Sequence, residues 1–142
     1  MTQADPDNEA TFKEFSIPGD LRSARQASEA ILREVEAAQF NVDAVFAIKL
    51  ALEEAMTNAI KHGNDRDPSK QVTIRYAVSP AKCAIVIRDQ GQGFKPDCIP
   101  DCTQSDRLPL PYGRGIMLMR AYMDRVAYRR RGTEIYLMKL NE

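Results

Sequence analysis

The sequence predicts an α+β fold, a two-layer sandwich in which three helices cover one face of a mixed, largely antiparallel sheet. Apolar residues recur at helical spacing in two long segments of the first half and in a shorter one near residue 118. Two pairs of alternating apolar segments are each joined by a short turn, as in β-hairpins. A chain of 142 residues suits a single domain with one core.

Composition limits the classes of function. The 20 basic and 20 acidic residues give a net charge of zero, so no global field attracts nucleic acid or a membrane. The run Arg129–Arg131 precedes a glycine and is interpreted as a solvated turn. No apolar run approaches the roughly 18 residues of a membrane span, and the polar N-terminus does not resemble a secretory signal. We therefore expect a cytoplasmic protein without direct nucleic-acid or membrane binding.

The cysteines indicate neither a disulfide framework nor a closed metal site. Three cysteines are an odd number in a chain without a secretory signal. Cys98 and Cys102 share a loop, and His62 is the one histidine of the chain, which leaves too few soft ligands for a closed zinc site. They are interpreted as incidental loop cysteines, with metal or redox chemistry as the alternative.

The first quarter of the chain predicts a strand and a helix. Residues 1–10 are polar and are expected to form a flexible lead-in to a domain over 11–142. Residues 11–17 are a candidate edge strand, and Pro18-Gly19 then breaks the chain. Asp20 can cap a helix of about five turns. Its apolar stripe is Leu21, Ala24, Ser28, Ile31, Val35 and Ala38.

A second helix is predicted over 42–62, with Asn41 as its cap. Gly63 suits a left-handed C-terminus, and Lys61 and Asn64 are expected to face solvent. The apolar stripe of this helix is Val45, Ile48, Leu52, Ala55 and Ala59.

After a polar loop, residues 72–78 and 82–89 are predicted to form a hairpin about Ser79-Pro80-Ala81. A third helix follows from residue 116 to near 124, and 125–130 and 133–140 form a second hairpin about Arg131-Gly132.

The segment between the two hairpins is typical of a nucleotide pocket with a lid. Asp89 ends a strand and is followed by Gly91 and Gly93, where a Cβ would collide with a flat ring passing close to the backbone. The loop 94–112 contains four prolines and is interpreted as a mobile cover. The Gly113-Arg114-Gly115 run then opens a helix, whose N-terminal N–H groups can face phosphate.

The second helix carries an acid and an amide on one face. Glu54 and Asn58 are four residues apart, away from the apolar stripe. An amide oxygen can ligate Mg²⁺ that also takes phosphate oxygens, and a carboxylate can accept a proton from an attacking hydroxyl. Such a pair also recurs by chance on solvated helices, and a tight turn alone explains Asp-x-Gly-x-Gly. Only the ordered combination of these motifs is specific.

The segments EEAMTNAIKHG, RDQGQGF and GRGIMLMRAYMDRV resemble, in this order, the N box and the first and second glycine boxes of the GHKL ATPase superfamily. Among its members they are most similar to the RsbW-like anti-sigma-factor serine kinases, over roughly residues 12–140. The resemblance implies a Bergerat-type ATPase fold that binds ATP and Mg²⁺. It implies that Asn58 ligates Mg²⁺, that Glu54 is the catalytic base, and that Asp89 binds the adenine amino group.

The resemblance also assigns the glycine motifs. Gly91 and Gly93 would line the adenine ring, and the residues near the phosphates would be Gly113, Arg114 and Gly115. Thr133 would support the adenine site, although a β-branched residue in a strand needs no functional reason.

The resemblance implies a stand-alone protein-serine kinase. GHKL proteins with a following transducer domain, and histidine kinases with a preceding phospho-accepting helical hairpin, fit the chain less well. The implied substrate is a serine of a STAS-domain anti-sigma antagonist, the other implied partner is a sigma factor, and the implied assembly is a homodimer. Phe12, Phe15 and Ile17 are compatible with a dimer edge or with packing of an outer strand. The alternatives are a module that binds ATP without phosphotransfer, and a scaffold that has lost ATP binding.

Overall fold

The computed structural model describes residues 3–91 and 117–142. Five strands form one sheet in the order β1-β2-β3-β5-β4, and every pairing among the described strands is antiparallel. The predicted α+β sandwich is confirmed. The strands are β1 Lys13–Pro18, β2 Gln71–Val78, β3 Lys82–Arg88, β4 Arg125–Arg129 and β5 Glu134–Leu140. The helices are α1 Leu21–Ala37, α2 Val42–Thr57 and α3, over 117–122.

Helix α1 begins and packs largely as its sequence pattern predicts. The Asp20 carboxylate accepts a hydrogen bond from the Ser23 backbone N–H at 2.7 Å, so the predicted cap is confirmed. Ile31 and Val35 are fully buried against the sheet side of the core. Leu21 lies at the helix start and remains 45% exposed, so its predicted burial is wrong.

Helix α2 begins at the predicted cap but ends differently. Asn41 Oδ1 accepts a hydrogen bond from the Ala44 N–H at 2.8 Å. The α-helix ends at Thr57, and the chain continues as a π-helical turn over Asn58–Gly63. Gly63 does not have a positive φ, so the predicted left-handed helix end is wrong; Asp65 and Arg66 have the positive φ angles instead. Wide π turns often occur at functional sites.

The two hairpins place the ends of β3 and β5 together. β3 pairs with β5 from Lys82↔Leu140 to Arg88↔Glu134, at the centre of the sheet. Ile135 and Leu137 face the helices and Tyr136 faces away, as the alternation predicts. The turn before β5 contains positive φ angles at Arg130, Arg131 and Gly132. This turn directs Thr133 toward the end of β3.

The N-terminal segment covers part of the sheet face opposite α1 and α2. Phe12 packs there with Ala77, Ala84 and Val86. Arg129 donates two hydrogen bonds of 2.8 Å to the two carboxylate oxygens of Glu9, within the segment expected to be flexible.

Phe12 and Ile17 are each 8% exposed, and Phe15 packs against the core. The three side chains therefore pack against residues of the same chain, as the second interpretation of this strand predicts, and the dimer edge stays a prediction.

Candidate functional site

One small cavity lies where α2, the end of β3 and the turn between β4 and β5 meet. It brings together Asn58, Asp89 and Thr133, which come from three separate parts of the sequence. Its full lining is Ala55, Asn58, Ala59, Ile87, Asp89, Tyr128, Gly132, Thr133 and Ile135. The lining combines apolar side chains with the polar side chains of Asn58, Asp89, Tyr128 and Thr133. The cavity volume is about 20 Å³, so a flat ring would enter this site only if its walls moved apart.

Asp89 is fixed at the end of β3 by backbone contacts. Its N–H donates to the Thr133 carbonyl oxygen at 2.8 Å, and its Oδ1 accepts from the Gly91 N–H at 2.8 Å. Burial raises the pKa of the Asp89 carboxyl from 3.8 to about 6, while the Gly91 N–H and the charge of Lys70 lower it in part. At neutral pH the side chain is a partly desolvated carboxylate, which is a strong acceptor for an N–H donor.

Two glycines allow the Asp89 turn to lie directly on the π turn. A Cβ added to Gly91 would lie 1.7 Å from the Gly63 carbonyl oxygen, and one added to Gly63 would lie 2.2 Å from Asp89 Oδ2. The sequence predicts that Gly91 leaves room for a ligand. The structure gives a different reason, because Gly91 leaves room for the backbone at Gly63.

Asn58 begins the π turn and presents an unsatisfied amide at the cavity. Its Nδ2 atom is buried and has no hydrogen-bond partner among the described residues. Buried polar atoms without partners are rare in folded proteins, and each one calls for a missing ligand, ion or water. The amide therefore fits a site that binds a polar ligand.

Glu54 lies one helical turn before Asn58 but does not line the cavity. Desolvation raises the pKa of its carboxyl, and the neighbouring charge of Glu53 raises it further. A carboxylate with a raised pKa is a better proton acceptor than one in free solution. Within the described residues, the structure thus brings Asn58, Asp89 and Thr133 together and leaves Glu54 beside them.

The site fits Mg²⁺ only if the ligand supplies most of the oxygens. No group of three or more His, Cys, Asp or Glu side chains in residues 3–91 and 117–142 is arranged to hold a metal ion. Asn58 offers one amide oxygen, and Mg²⁺ commonly completes its coordination with phosphate and water oxygens.

Sequence reasoning missed two residues that build the site. Tyr128 lines the cavity from β4, and burial raises the pKa of its hydroxyl. The alternation of β4 places Val126 and Tyr128 on the helix-facing side, which is a signal that could have found it. The prediction that Asn64 faces solvent is wrong, because this residue is only 1% exposed. Its side chain turns inward because two backbone groups there need partners.

Several predicted site residues lie outside the described residues. They are Gly93, Gly113, Arg114, Gly115, the predicted lid over 94–112, and the two loop cysteines Cys98 and Cys102. Their roles stay predictions.

Comparison with known proteins identifies the fold and its relatives. The family model of the histidine kinase-like ATPase domain matches residues 17–139. The chain is 32% identical over 133 residues to the anti-sigma F factor of Geobacillus kaustophilus (strain HTA426), covering 82% of this chain and 87% of that protein. It is 28% identical over 99 residues to the serine-protein kinase RsbW of Bacillus subtilis (strain 168), covering 61% of this chain and 58% of the relative.

A solved structure has the same fold. The crystal structure of the RsbU and RsbW domains of a Mycobacterium tuberculosis protein superimposes with a TM-score of 0.60 at 13% identity, covering 92% of this chain and 32% of that chain.

Among the residues that the structure describes, no helix is long and apolar enough to cross a membrane.

Proposed function

The chain belongs to the histidine kinase-like ATPase domain family, in its RsbW-like branch, and we propose that it is an ATP-binding anti-sigma factor that acts as a protein-serine kinase. The proposed substrate is a serine on a STAS-domain anti-sigma antagonist. The observation that carries the proposal is the cavity that Asn58 and Asp89 share, in which the Asn58 Nδ2 atom has no partner among the described residues and Asp89 is a partly buried carboxylate.

In this proposal Asp89 recognises the base. The adenine amino group is an N–H donor, and the Asp89 carboxylate is an acceptor whose Oδ1 already receives the Gly91 N–H. Ile87 and Ile135 supply an apolar surface for the ring beside it. Thr133 supports this end through its carbonyl oxygen, which receives the Asp89 N–H at 2.8 Å. Its hydroxyl donates to Arg130 O at 2.8 Å and so holds the turn rather than the ligand.

The other end of the site holds the phosphates. Asn58 would hold Mg²⁺ through its amide oxygen, and when bound the ion neutralises phosphate charge. Gly93 would line the ring with Gly91, and the proposed residues near the phosphates are Gly113, Arg114 and Gly115. Glu54 would take the proton of the serine hydroxyl as the serine oxygen bonds to the γ-phosphorus and the bond from that phosphorus to the ADP oxygen breaks.

The proposal extends to the partners. The relatives are named as anti-sigma F factor and as serine-protein kinase, and we propose that this chain likewise binds a sigma factor as well as its antagonist. We also propose a cytoplasmic location and a homodimer. The position of Glu54 outside the cavity wall favours a second candidate, a module that binds ATP to shape a partner surface without phosphotransfer.

A phosphotransfer assay separates the two candidates. The chain is mixed with Mg²⁺, γ-labelled ATP and the cognate STAS-domain protein, and labelled phosphoserine is measured. Glu54→Gln should abolish label transfer while ATP affinity, measured by calorimetry, stays within about twofold, because the substitution removes only the proton acceptor. The matched control is Asp43→Asn, which removes an exposed carboxylate in the first turn of the same helix, far from Glu54, and should transfer label normally.

The outcomes assign the function. Retained transfer in Glu54→Gln would remove Glu54 from the role of base. Nucleotide-dependent partner binding without labelled product in the unmodified chain would establish the second candidate. Absence of Mg-ATP binding would reject both.

A further inference from the structure

We infer that Asn64 is a positioning residue that sets where Asp89 stands relative to Asn58, and so helps to select adenine over guanine. The inference rests on the proposed nucleotide binding. Asn64 does not line the cavity in which the nucleotide is proposed to bind. It acts through the backbone of the turn that carries Asp89.

The Asn64 side chain joins two distant backbone segments. Its Nδ2 donates to the Gln71 carbonyl oxygen at 3.0 Å, and its Oδ1 accepts from the Gln90 N–H at 2.7 Å. The ring of contacts is closed by Gln71, whose N–H donates to Gln90 Oε1 at 2.7 Å. With an exposed fraction of 1%, the amide is shielded from water, so lost partners would not be replaced easily.

Asn64 also ends the π turn that begins at Asn58, the residue proposed to lie near the phosphates. The Asn64 N–H donates to the Ala59 carbonyl oxygen at 2.8 Å, which is the π-type bond that closes the turn begun by Asn58. Gly63, immediately before it, lies against the Asp89 carboxylate. A single short segment therefore starts at Asn58 and ends at the residue that holds the Asp89 turn.

An asparagine side chain suits this position because it supplies a donor and an acceptor on one rigid amide. Aspartate has the same shape but lacks the donor, and it would place a second carboxylate near Asp89. Alanine removes both hydrogen bonds of the side chain. The turn would keep the backbone contact with Thr133, the Gly91 hydrogen bond to Asp89 and the contact of the Gln90 side chain, but would lose its link to the π turn.

Base discrimination distinguishes positioning from simple stabilisation. Asp89 is proposed to accept from the adenine amino group, whereas guanine has a carbonyl oxygen at the same ring position and repels a carboxylate. Displacing Asp89 should weaken ATP binding and leave the weak binding of GTP nearly unchanged. A purely structural role would lower the unfolding midpoint and leave the ratio of the two affinities unchanged at temperatures where the protein is folded.

The experiment measures Kd for Mg-ATP and Mg-GTP by calorimetry in the full chain and its variants, well below each unfolding midpoint. Asn64→Ala is expected to weaken ATP binding about tenfold and to lower the ATP-to-GTP preference by a similar factor. Asn64→Asp is expected to lower it as well. The control is Asn41→Ala, which removes the cap at the opposite end of α2 and should lower the midpoint without changing the preference.

A second variant keeps the test decisive if Asn64→Ala does not fold. Gln90→Ala alters an exposed side chain and removes only the contact with the Gln71 N–H, so a smaller fall in preference is expected. Wild-type preference in folded Asn64→Ala, or in Gln90→Ala when Asn64→Ala does not fold, would overturn the inference. Failure of the unmodified chain to bind ATP would instead overturn the proposed function.

Discussion

Replacing Asp89 by asparagine should make the nucleotide-free protein more stable while weakening its binding of ATP. The substitution keeps the shape of the side chain. It also keeps an oxygen that can accept the hydrogen bond that the Gly91 N–H donates to Asp89 Oδ1, at 2.8 Å in the structure. It removes a carboxylate that burial makes costly to ionise. In the variant, the second carboxylate oxygen becomes an NH₂ group, which cannot accept from the adenine amino group.

The pKa of Asp89 fixes both the sign and the size of the effect on stability. Because folding raises this pKa from 3.8 to about 6, the associated stability is fully present below pH 3.8 and is lost as the pH rises through about 6. Each pKa unit corresponds to about 1.4 kcal/mol, so a shift of about two units sets an upper bound near 3 kcal/mol. Solvent screening of this partly exposed side chain reduces the expected gain for Asp89→Asn to roughly 1–2 kcal/mol above pH 7.

Urea unfolding without nucleotide, at pH 8 and at pH 4.5, measures this gain. Asp89→Asn should exceed the wild type at pH 8 and lose most of that advantage at pH 4.5, where Asp89 in the folded wild type is protonated. Asp67→Asn is the matched control, because hydrogen bonds from Ser69 lower the pKa of that exposed carboxyl and no gain is expected. An equal gain at both pH values, or a loss at pH 8, would contradict the assignment of Asp89 as a desolvated carboxylate.

Two further substitutions test other contacts of the fold. Gly91→Ala places a methyl group 1.7 Å from the Gly63 carbonyl oxygen. The free energy of unfolding, measured in urea, should therefore fall by about 1–3 kcal/mol, and ATP should bind more weakly. Unchanged urea midpoints and ATP affinity would show that the turn has room to move. Glu9→Gln weakens the salt bridge with Arg129. Since both groups are partly exposed, the free energy of unfolding should fall by less than about 1 kcal/mol, and this loss should become smaller in high salt. A loss independent of salt in urea unfolding would mean that packing, and not charge, holds the N-terminal segment.

The order of elements could be predicted because the signals for it are local. Asp20 and Asn41 each cap a helix through a backbone N–H only three residues away. The first hairpin turn and the alternation of β2, from Val72 to Val78, lie within one short stretch of sequence. Such features depend on residues within one turn or one strand pair, so the pattern of residue types is enough to locate them.

The details of the site depend on contacts between distant segments and could not be predicted in the same way. Asn64 accepts a hydrogen bond from a residue 26 positions later, and nothing in its own neighbourhood indicates that it turns inward. The local sequence predicts a role for the φ angle of Gly63, whereas the structure needs a glycine there because a Cβ would collide with the Asp89 carboxylate. The π turn likewise arises where α2 meets the end of β3, and a helical repeat of apolar residues does not reveal the change of pitch.

The two unfavourable features of the cavity are best explained together. A partly desolvated carboxylate at Asp89, and an amide nitrogen at Asn58 that has no partner in residues 3–91 and 117–142, each lower the stability of the nucleotide-free fold. An apolar side chain or a well-paired one would avoid either cost, and folded proteins contain few such groups. A hydrogen bond to a charged group contributes about 1.5–3 kcal/mol, which is comparable with the cost of keeping Asp89 ionised. A ligand that offers a donor to Asp89 and polar atoms to Asn58 would therefore offset both costs at once, whereas a packing defect would account for only one of them.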